Sequence, residues 1–254
     1  MGINCSLKEN KKMEMCKRIP KPLISYFGGK QRVAHKIISK FPDHHTYVEP
    51  FVGGGSVYWA NTIPNKFVIS DLNKDIYKLY KTAKNSPSSI NKCGTNFKIH
   101  NKDRFDKLKK KPVKSSCDII SLYKNSFGSD GRNYVRRDRR MMNNFNERHK
   151  EKLKKTIIRN QDFSKIAKDY DRKGVVQYWD PPYVEQGKFY LTNGVDSKEV
   201  CDTMKQIKKA KVFLSYDNNK DVKRDCKGLK FDKIFVPYSV ERGGLGKTEL
   251  LITN

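Results

Sequence analysis

The chain has 254 residues, 36% of them hydrophobic, which suffices for one sizeable core with an inserted lobe but includes no apolar run long enough to span a membrane. Its formal net charge of +27 disfavours an enzyme without a polyanionic partner, and nucleic acid is the leading candidate. A lysine-rich proteome explains part of this charge because many lysines are scattered, whereas the arginines cluster within residues 131–140.

Cysteine usage and the N-terminal segment bear on the compartment. Cysteines occupy positions 5, 16, 93, 117, 201 and 226, and no two of them have the spacing of a zinc site. We therefore predict free thiols in an intracellular, reducing compartment with access to DNA, whether cytoplasm, nucleus or viral factory. Residues 1–20 are polar and lack the apolar core of a signal peptide, so they are expected to form a flexible lead-in.

The first elements predict an alternation of strands and helices. Apolar residues at helical spacing predict a helix over 30–41, and a short strand follows over 46–51. A glycine turn, VGGGS, then leads into a helix start. A second buried strand covers 66–71 and a helix covers 72–85. This order is typical of a parallel α/β sheet.

The composition changes between residues 86 and 160, where Lys, Arg, Asn and Ser dominate. Short helices are predicted at 102–110, 116–125 and 147–160, with a Gly-, Asn- and Arg-rich stretch between the last two. We interpret this region as an inserted, mainly helical lobe.

The α/β pattern returns after the lobe. The predicted elements are strands at 174–179, 211–216, 231–240 and 248–253, and helices at 197–209 and 219–226. The last two strands have the spacing of a hairpin. Residues 21–85 and 161–254 are therefore predicted to form one α/β catalytic domain, into which 86–160 is inserted.

The glycine turn after the first strand predicts a ligand site. Glycines there let a ligand approach the backbone, and Asp71 at the end of the next strand can hydrogen-bond a ribose diol. The nicotinamide fingerprint GxGxxG and the phosphate-loop GK[ST] are both absent, and Glu49 would repel phosphates. These features favour S-adenosylmethionine, which has a ribose and a cationic sulfonium but no phosphate. A tight glycine turn without a ligand is the alternative.

The stretch WDPPY places an acid, two prolines and a tyrosine after a buried strand, where open α/β sheets hold their active sites. The adenine N6 amine is a poor nucleophile because its lone pair is delocalised. A carboxylate from Asp180 and the carbonyl of Pro181 would accept its two N–H groups and direct the lone pair at a methyl donor. Pro182 stiffens the turn, and Tyr183 offers a flat face for an extruded base. The alternative is a stiff turn with a surface Asp.

Two adjacent histidines, His44 and His45, follow Asp43 and raise the question of a metal. Their side chains point apart in an extended chain, and no third ligand is evident nearby. We therefore predict a surface loop and no metal site.

Four motifs in this order, YFGGK, YVEPFVGGGSV, ISDLNKDIYKLY and WDPPY, resemble those of the Dam-type DNA adenine-N6 methyltransferases over most of residues 22–254. The resemblance implies a Rossmann-like S-adenosylmethionine-dependent methyltransferase sheet whose inserted lobe recognises the target. It also implies S-adenosylmethionine as cofactor, bound by Tyr26, Lys30, Glu49, Phe51, Gly53, Gly55, Asp71, Asp162, Phe163 and Asp180.

The resemblance extends to DNA contacts. The stretch LYKNSFGSDGRNYVRR resembles the family's hairpin that reads the target in the major groove, and ERGGLGKTELL resembles a C-terminal segment near the DNA backbone. Asp130-Gly131 stands where the family usually has Asn-Gly, which leaves the base preference open. The residues expected to contact DNA are Lys124, Asn125, Arg132, Tyr134, Arg136, Arg137, Arg242 and Lys247.

The predicted reaction is methyl transfer from S-adenosylmethionine to N6 of adenine in double-stranded DNA by base flipping. The chain is expected to act as a monomer or weak dimer, and a cognate restriction endonuclease is a further candidate partner. Three alternatives remain: a cytosine-N4 methyltransferase, an RNA methyltransferase, or an inactive nucleic-acid-binding homologue. Asp180 favours adenine, because cytosine-N4 enzymes more often begin this turn with Ser.

Overall fold

The computed structural model describes residues 20–93, 101–136, 145–183, 195–237 and 246–254. Its strands are β1 (Thr46–Glu49), β2 (Lys66–Ser70), β3 (Thr156–Arg159), β4 (Val175–Trp179), β5 (Lys211–Asp217), β6 (Lys230–Val236) and β7 (Lys247–Thr253). Its α-helices are α1 (Ala34–Ile38), α2 (Ser56–Ala60), α3 (Lys74–Asn85), α4 (Pro87–Asn91), α5 (Lys102–Lys110), α6 (Ser116–Lys124), α7 (Glu147–Lys154), α8 (Phe163–Asp169), α9 (Ser197–Gln206) and α10 (Lys220–Asp225). A 3₁₀ turn covers Phe127–Ser129.

The seven strands form one sheet in the order β3-β2-β1-β4-β5-β7-β6. β1 is central and parallel to both neighbours, so that Tyr47 pairs with Phe67 on one side and with Val176 on the other. Every side chain of β1 and β4 is buried, as expected for parallel strands covered on both faces. β7 runs antiparallel to β5 and β6, which confirms the predicted hairpin. The α/β fold prediction is confirmed.

Helices cover both faces of the sheet and divide the core into two clusters. One cluster joins the sheet to α1, α2, α3, α4, α6 and α7 through residues such as Ile37, Trp59, Leu79, Tyr123 and Leu153. The other joins it to α8, α9 and α10 through residues such as Ile166, Met204 and Val222. The segment predicted as an inserted lobe therefore contributes three helices, α4, α6 and α7, to the main core.

Two of these helices begin with side-chain caps that the sequence encodes. Asn73 accepts a hydrogen bond from the Asp75 N–H and starts α3 directly after β2. Ser115 and Asp118 form a capping box that starts α6. Both helices then bury one apolar stripe in the same cluster.

The helix predicted over 147–160 is wrong in its second half. α7 ends at Lys154, and Thr156–Arg159 forms β3, which pairs in parallel with β2. The strand has only four residues and follows a lysine-rich helix, so its apolar pattern is too short to be recognised. The sheet therefore resumes before residue 161, where the predicted domain boundary lay. Two short helices, α4 and α8, were also not predicted.

The prediction of free thiols is wrong for four cysteines. Disulfides join Cys93 to Cys117 and Cys201 to Cys226, each across a Cα–Cα distance of 5.0 Å. The partners are 24 and 25 residues apart in sequence, and only the packing of neighbouring helices brings them together. Cys5 and Cys16 lie outside the described residues, as does the predicted lead-in up to residue 19.

The surface-loop prediction is also wrong for His44, whose side chain is only 8% exposed. Its Nδ1 lies 2.8 Å from the Pro42 carbonyl, and its ring makes an edge contact with Phe41. Burial lowers its pKa, which favours the neutral imidazole. As for membrane spans, every helix in the described ranges is too short or too polar to cross a bilayer.

Candidate active site

A cleft of about 870 Å³, part of it open to solvent, lies at the carboxyl ends of β1, β2 and β4. Parallel strands bring these ends to one edge of the sheet, where α/β folds bind ligands. The residues predicted to hold the cofactor that line this cleft are Tyr26, Lys30, Glu49, Phe51, Gly53, Gly55, Asp71, Phe163 and Asp180. Five separate segments of the sequence therefore meet in one cavity.

The glycine turn forms the floor of the cleft and tolerates no side chain at two positions. Gly53 has φ 44°, and a Cβ there would lie 2.8 Å from Cδ1 of Tyr26. Gly55 has φ 70°, and its Cβ would collide with the Tyr80 hydroxyl. Both positions combine left-handed backbone with close neighbours, so glycine is required for conformation and for space.

Asp71 ties the glycine turn to the end of β2. Its Oδ2 accepts the Gly53 N–H at 2.8 Å, and its Oδ1 accepts the Asn73 N–H at 2.9 Å. Burial raises the pKa of this carboxyl to about 6, although the two N–H groups act in the opposite direction. Each oxygen keeps a second lone pair, so the carboxylate can still accept hydrogen bonds from a ligand hydroxyl.

The carboxylate of Asp180 lies beside a buried lysine. Lys30 Nζ is 2.9 Å from Oδ1 and 3.2 Å from Oδ2 of Asp180, and it also donates to the Gly28 carbonyl at 3.0 Å. Lys30 is 3% exposed, whereas Asp180 is 20% exposed and faces the cleft. Burial raises the pKa of Asp180, the Lys30 charge lowers it, and the charge of Glu249 raises it further.

Glu49 ends β1 and is buried beneath the cleft. The Tyr47 hydroxyl donates to its Oε2 at 2.6 Å. Burial raises the pKa of Glu49 to about 8, with the nearby Asp180 charge acting in the same direction. The carboxyl is therefore largely protonated at neutral pH. This corrects the argument that Glu49 excludes phosphate ligands by repulsion, because that argument assumed a charged side chain.

Tyr183 is less accessible than the sequence argument assumed. Its ring is 4% exposed and stacks on Tyr216, with centroids 4.7 Å apart. Its hydroxyl lies 3.3 Å from both Asp180 Oδ1 and Glu249 Oε2. The two prolines between Asp180 and Tyr183 keep the turn compact, and the Pro182 carbonyl accepts the Val195 N–H at 3.1 Å.

Comparison with known proteins decides the family. A family model described as D12 class N6 adenine-specific DNA methyltransferase matches residues 26–125 and 120–237. The chain belongs to this family. The resemblance inferred from the four motifs is therefore confirmed.

Individual relatives agree over nearly the whole chain. The DNA adenine methylase of Haemophilus influenzae is 26% identical over 258 residues, which cover 87% of this chain and 88% of the relative. Type II methyltransferase M1.LlaDCHI of Lactococcus lactis subsp. cremoris is 25% identical over 274 residues, which cover 92% of this chain and 95% of the relative. The chain is thus an adenine-N6 DNA methyltransferase that acts on DNA and uses S-adenosylmethionine, the methyl donor of this family.

Asp162 stands apart from the other residues predicted to bind the cofactor. Its carboxylate accepts hydrogen bonds from the Ser164 N–H at 2.8 Å and the Ser164 hydroxyl at 2.6 Å, and so caps α8. The methyltransferase cleft is lined instead by its neighbour Phe163, whose ring lies 5.0 Å from that of Phe51. Capping by Asp162 therefore positions an aromatic wall of the cleft.

Sequence reasoning missed several residues at the cleft. Leu72 and Asn73 follow Asp71 and line the mouth, where Leu72 is 52% exposed. Tyr178 lines the wall beneath Asp180. Both residues directly follow Asp71 at the carboxyl end of β2, so the rule that parallel strands bind ligands at that edge could have found them. Glu249 lies too far along the chain for any local pattern to connect it with Lys30.

Five of the residues predicted to contact DNA lie at the end of α6 or on the compact turn that follows it: Lys124, Asn125, Arg132, Tyr134 and Arg136. Asn125 is buried and donates to the Ser121 carbonyl at 2.8 Å, and Tyr134 packs on Phe105 with centroids 5.6 Å apart. Lys124 and Arg132 are half-buried, and Arg136 is exposed. Burial lowers the pKa of Lys124.

The unusual acid of this turn has a structural role. Asp130 is 4% exposed, and its Oδ1 accepts the N–H groups of Arg132 at 2.8 Å and Asn133 at 3.1 Å. Its Oδ2 accepts from the Asn133 amide at 2.6 Å. An Asp can therefore replace the usual Asn because both can accept these turn N–H groups. Lys247, at the start of β7, pairs with Asp217 at 2.9 Å; Arg137 and Arg242 lie outside the described residues.

Proposed function

We propose that the central cleft holds S-adenosylmethionine and that Asp180 and Pro181 orient the N6 amine of a flipped adenine. The observation that carries this proposal is the position of Asp180, at the carboxyl end of β4, partly exposed in a glycine-lined cleft and fixed by the buried Lys30. Preorganised acceptors of this kind favour a transition state in which the amine develops positive charge.

The cleft chemistry suits this cofactor. Among the described residues that line the cleft, Lys30 is the only cationic one, and it is already paired with Asp180. That arrangement suits a ligand with a cationic sulfonium better than a ligand rich in phosphates. Asp71 would accept hydrogen bonds from the ribose, and the rings of Phe51 and Phe163 would contact the adenine portion. When bound, the cofactor supplies an electrophilic methyl group.

The chain's own residues then prepare the amine. Asp180 accepts one N6–H and the Pro181 carbonyl accepts the other, so the nitrogen lone pair is directed toward the methyl donor. The amine loses its proton after transfer, and no strong general base is needed. Tyr183 would stack on the base, which requires its nearly buried ring to be uncovered when DNA binds.

DNA recognition is assigned to the inserted lobe, predicted as 86–160 and shortened here to 86–155 because β3 begins at Thr156. Within the lobe it is assigned to the turn that carries Arg132 and Arg136. The exposed Arg136 and the net charge of +27 support phosphate contacts that weaken steeply with salt. The protein would act as a monomer or weak dimer in a compartment that contains DNA. A cognate restriction endonuclease is part of the proposal because relatives include type II methyltransferases.

The role of Asp180 is tested by Asp180→Asn in single-turnover methyl transfer to duplex DNA. We expect a loss of about 100-fold or more in rate, with the affinity for DNA largely retained. Asp202→Asn, a change of the same chemistry on the exposed face of α9, serves as the matched control and should leave the rate unchanged. A wild-type rate for Asp180→Asn would refute the assigned role.

A further inference from the structure

A second buried carboxylate shares the lysine that holds Asp180. Glu249 on β7 is 1% exposed, and its Oε2 lies 3.4 Å from Lys30 Nζ. The same oxygen lies 3.3 Å from the Tyr183 hydroxyl. Lys30, Asp180, Tyr183 and Glu249 therefore form one cluster with two carboxylates and a single ammonium.

The two carboxylates differ in their surroundings. Asp180 is 20% exposed and faces the cleft, whereas the Glu249 side chain is only 2% exposed. Removing a cation from a buried carboxylate is strongly destabilising, because water cannot take the place of the cation there, whereas water can reach the partly exposed Asp180. Separating Lys30 from Glu249 therefore costs more than separating it from Asp180. Asp180 is thus the partner that can exchange its contact with the lysine for one with a substrate.

The hydrogen-bond geometry shows that Lys30 and a substrate amine would compete for the Asp180 carboxylate. The ammonium has three N–H donors, and the acceptors around it include both oxygens of Asp180, Glu249 Oε2 and the Gly28 carbonyl. In this arrangement both Asp180 oxygens point at the lysine. The target amine must therefore compete with Lys30 for Asp180.

We infer that Glu249 is a positioning residue for methyl transfer: it retains the Lys30 ammonium and the Tyr183 hydroxyl, so that the Asp180 carboxylate becomes available to the target amine. The inference rests on the proposed role of Asp180. It assigns a function to β7, which the sequence motifs placed only near the DNA backbone.

The charged and titratable groups facing this cluster come from each neighbouring element. Asp180 interacts electrostatically with Lys30, Glu249 and Glu49, the last at the end of β1. The hydroxyls of Tyr178 and Tyr183 also interact with it. Glu249 is paired across the sheet with Asp217, which has its own cation in Lys247. The negative charge of Glu249 raises the pKa of Asp180, so its removal should lower that pKa.

The test is Glu249→Gln, measured as the pH profile of single-turnover methyl transfer. Without the charge of Glu249, the attraction of Lys30 to Asp180 is no longer balanced by a carboxylate on β7. We expect the plateau rate to fall about 10- to 100-fold, as for a misplaced catalytic group, with cofactor affinity unchanged. The acid limb of the profile should move to lower pH, which a purely structural role would not produce.

Two variants sharpen this test. Glu249→Asp keeps the negative charge but places it one methylene further from Lys30. The acid limb of its pH profile should therefore stay near that of the wild type, and its plateau rate should lie between those of the wild type and Glu249→Gln. Glu199→Gln, the same change at an exposed position of α9, should match the wild type. Melting curves establish that each variant is folded.

An unchanged plateau rate and acid limb in folded Glu249→Gln would overturn the inference. If Glu249→Gln does not fold, a wild-type rate for Glu249→Asp overturns it, because displacing the carboxylate from Lys30 would then cost nothing. Asp180→Asn in the same assay separates the two proposals: full activity there refutes the role of Asp180 itself, whatever Glu249 does.

Discussion

Glu49 should make the stability of the protein depend on pH, and Glu49→Gln should remove that dependence. Its carboxyl is 3% exposed at the end of the central strand β1. Burial raises its pKa from the ordinary 4.5 to about 8. Gln has nearly the same shape as Glu but does not titrate, and it can still accept the hydrogen bond from the Tyr47 hydroxyl.

The sign and size of this pH dependence follow from the linkage between proton binding and folding. Between pH 4.5 and about 8 the folded protein keeps a proton on Glu49 that the unfolded chain releases, so this group loses stabilising effect as the pH rises. At about 1.4 kcal/mol per pH unit, the whole interval amounts to about 5 kcal/mol. That is a large part of the roughly 5–15 kcal/mol by which domains are stable.

The assay is urea denaturation of wild type and Glu49→Gln at intervals from pH 5 to 9. Groups that do not interact with Glu49 titrate equally in both proteins and cancel in the difference between their free energies of unfolding. We expect Glu49→Gln to gain stability relative to wild type steadily from pH 5 to about 8 and the difference to level off above that pH. A difference that stays constant with pH would show that Glu49 titrates normally and would refute the reasoning.

Three further predictions concern other parts of the molecule. Gly53→Ala should weaken cofactor binding at least about tenfold, because its Cβ would lie 2.8 Å from the Tyr26 ring at a φ of 44°. Calorimetric titration with the cofactor measures this. The control is Gly228→Ala, whose Cβ would have no atom within 4 Å and which should affect only stability. Lys152 lies over the rings of Tyr58 and Phe67, and burial lowers its pKa to about 7. Because the unfolded chain then binds a proton that the folded protein does not, wild type should gain stability relative to Lys152→Met as the pH rises from 7 toward 10. A difference in denaturation midpoints that does not change with pH would contradict this. Arg136→Ala should reduce the slope of log affinity for DNA against log salt by about 1, whereas Arg224→Ala on α10 should leave it unchanged; equal slopes for both variants would argue against a phosphate contact at Arg136.

Most of the sheet could be predicted from the sequence because β1, β2, β4 and β5 are buried on both faces. Such strands appear as short apolar runs, as in KFVIS of β2, and glycine or proline marks several of their ends. β3 escaped prediction because TIIR has four residues and follows the lysine-rich α7. Its position in the sheet depends on pairing with β2, which local periodicity does not report.

The site likewise contains residues that the sequence could place and residues that it could not. Gly53, Asp71 and Asp180 follow strand ends, so their convergence follows from the rule that parallel strands share one edge. Glu249 depends on a non-local fact, the position of β7 beside β5, which brings it to Lys30. The disulfides depend on helix packing in the same way, and composition alone suggested free thiols.

The most direct test of the central claim identifies the methylated atom. Duplex DNA is incubated with the protein and methyl-labelled S-adenosylmethionine, digested to nucleosides and analysed by mass spectrometry. We predict that the label appears on N6 of deoxyadenosine with wild type and is lost with Asp180→Asn. Label on cytosine alone, or equal labelling of adenine by wild type and Asp180→Asn, would contradict the account.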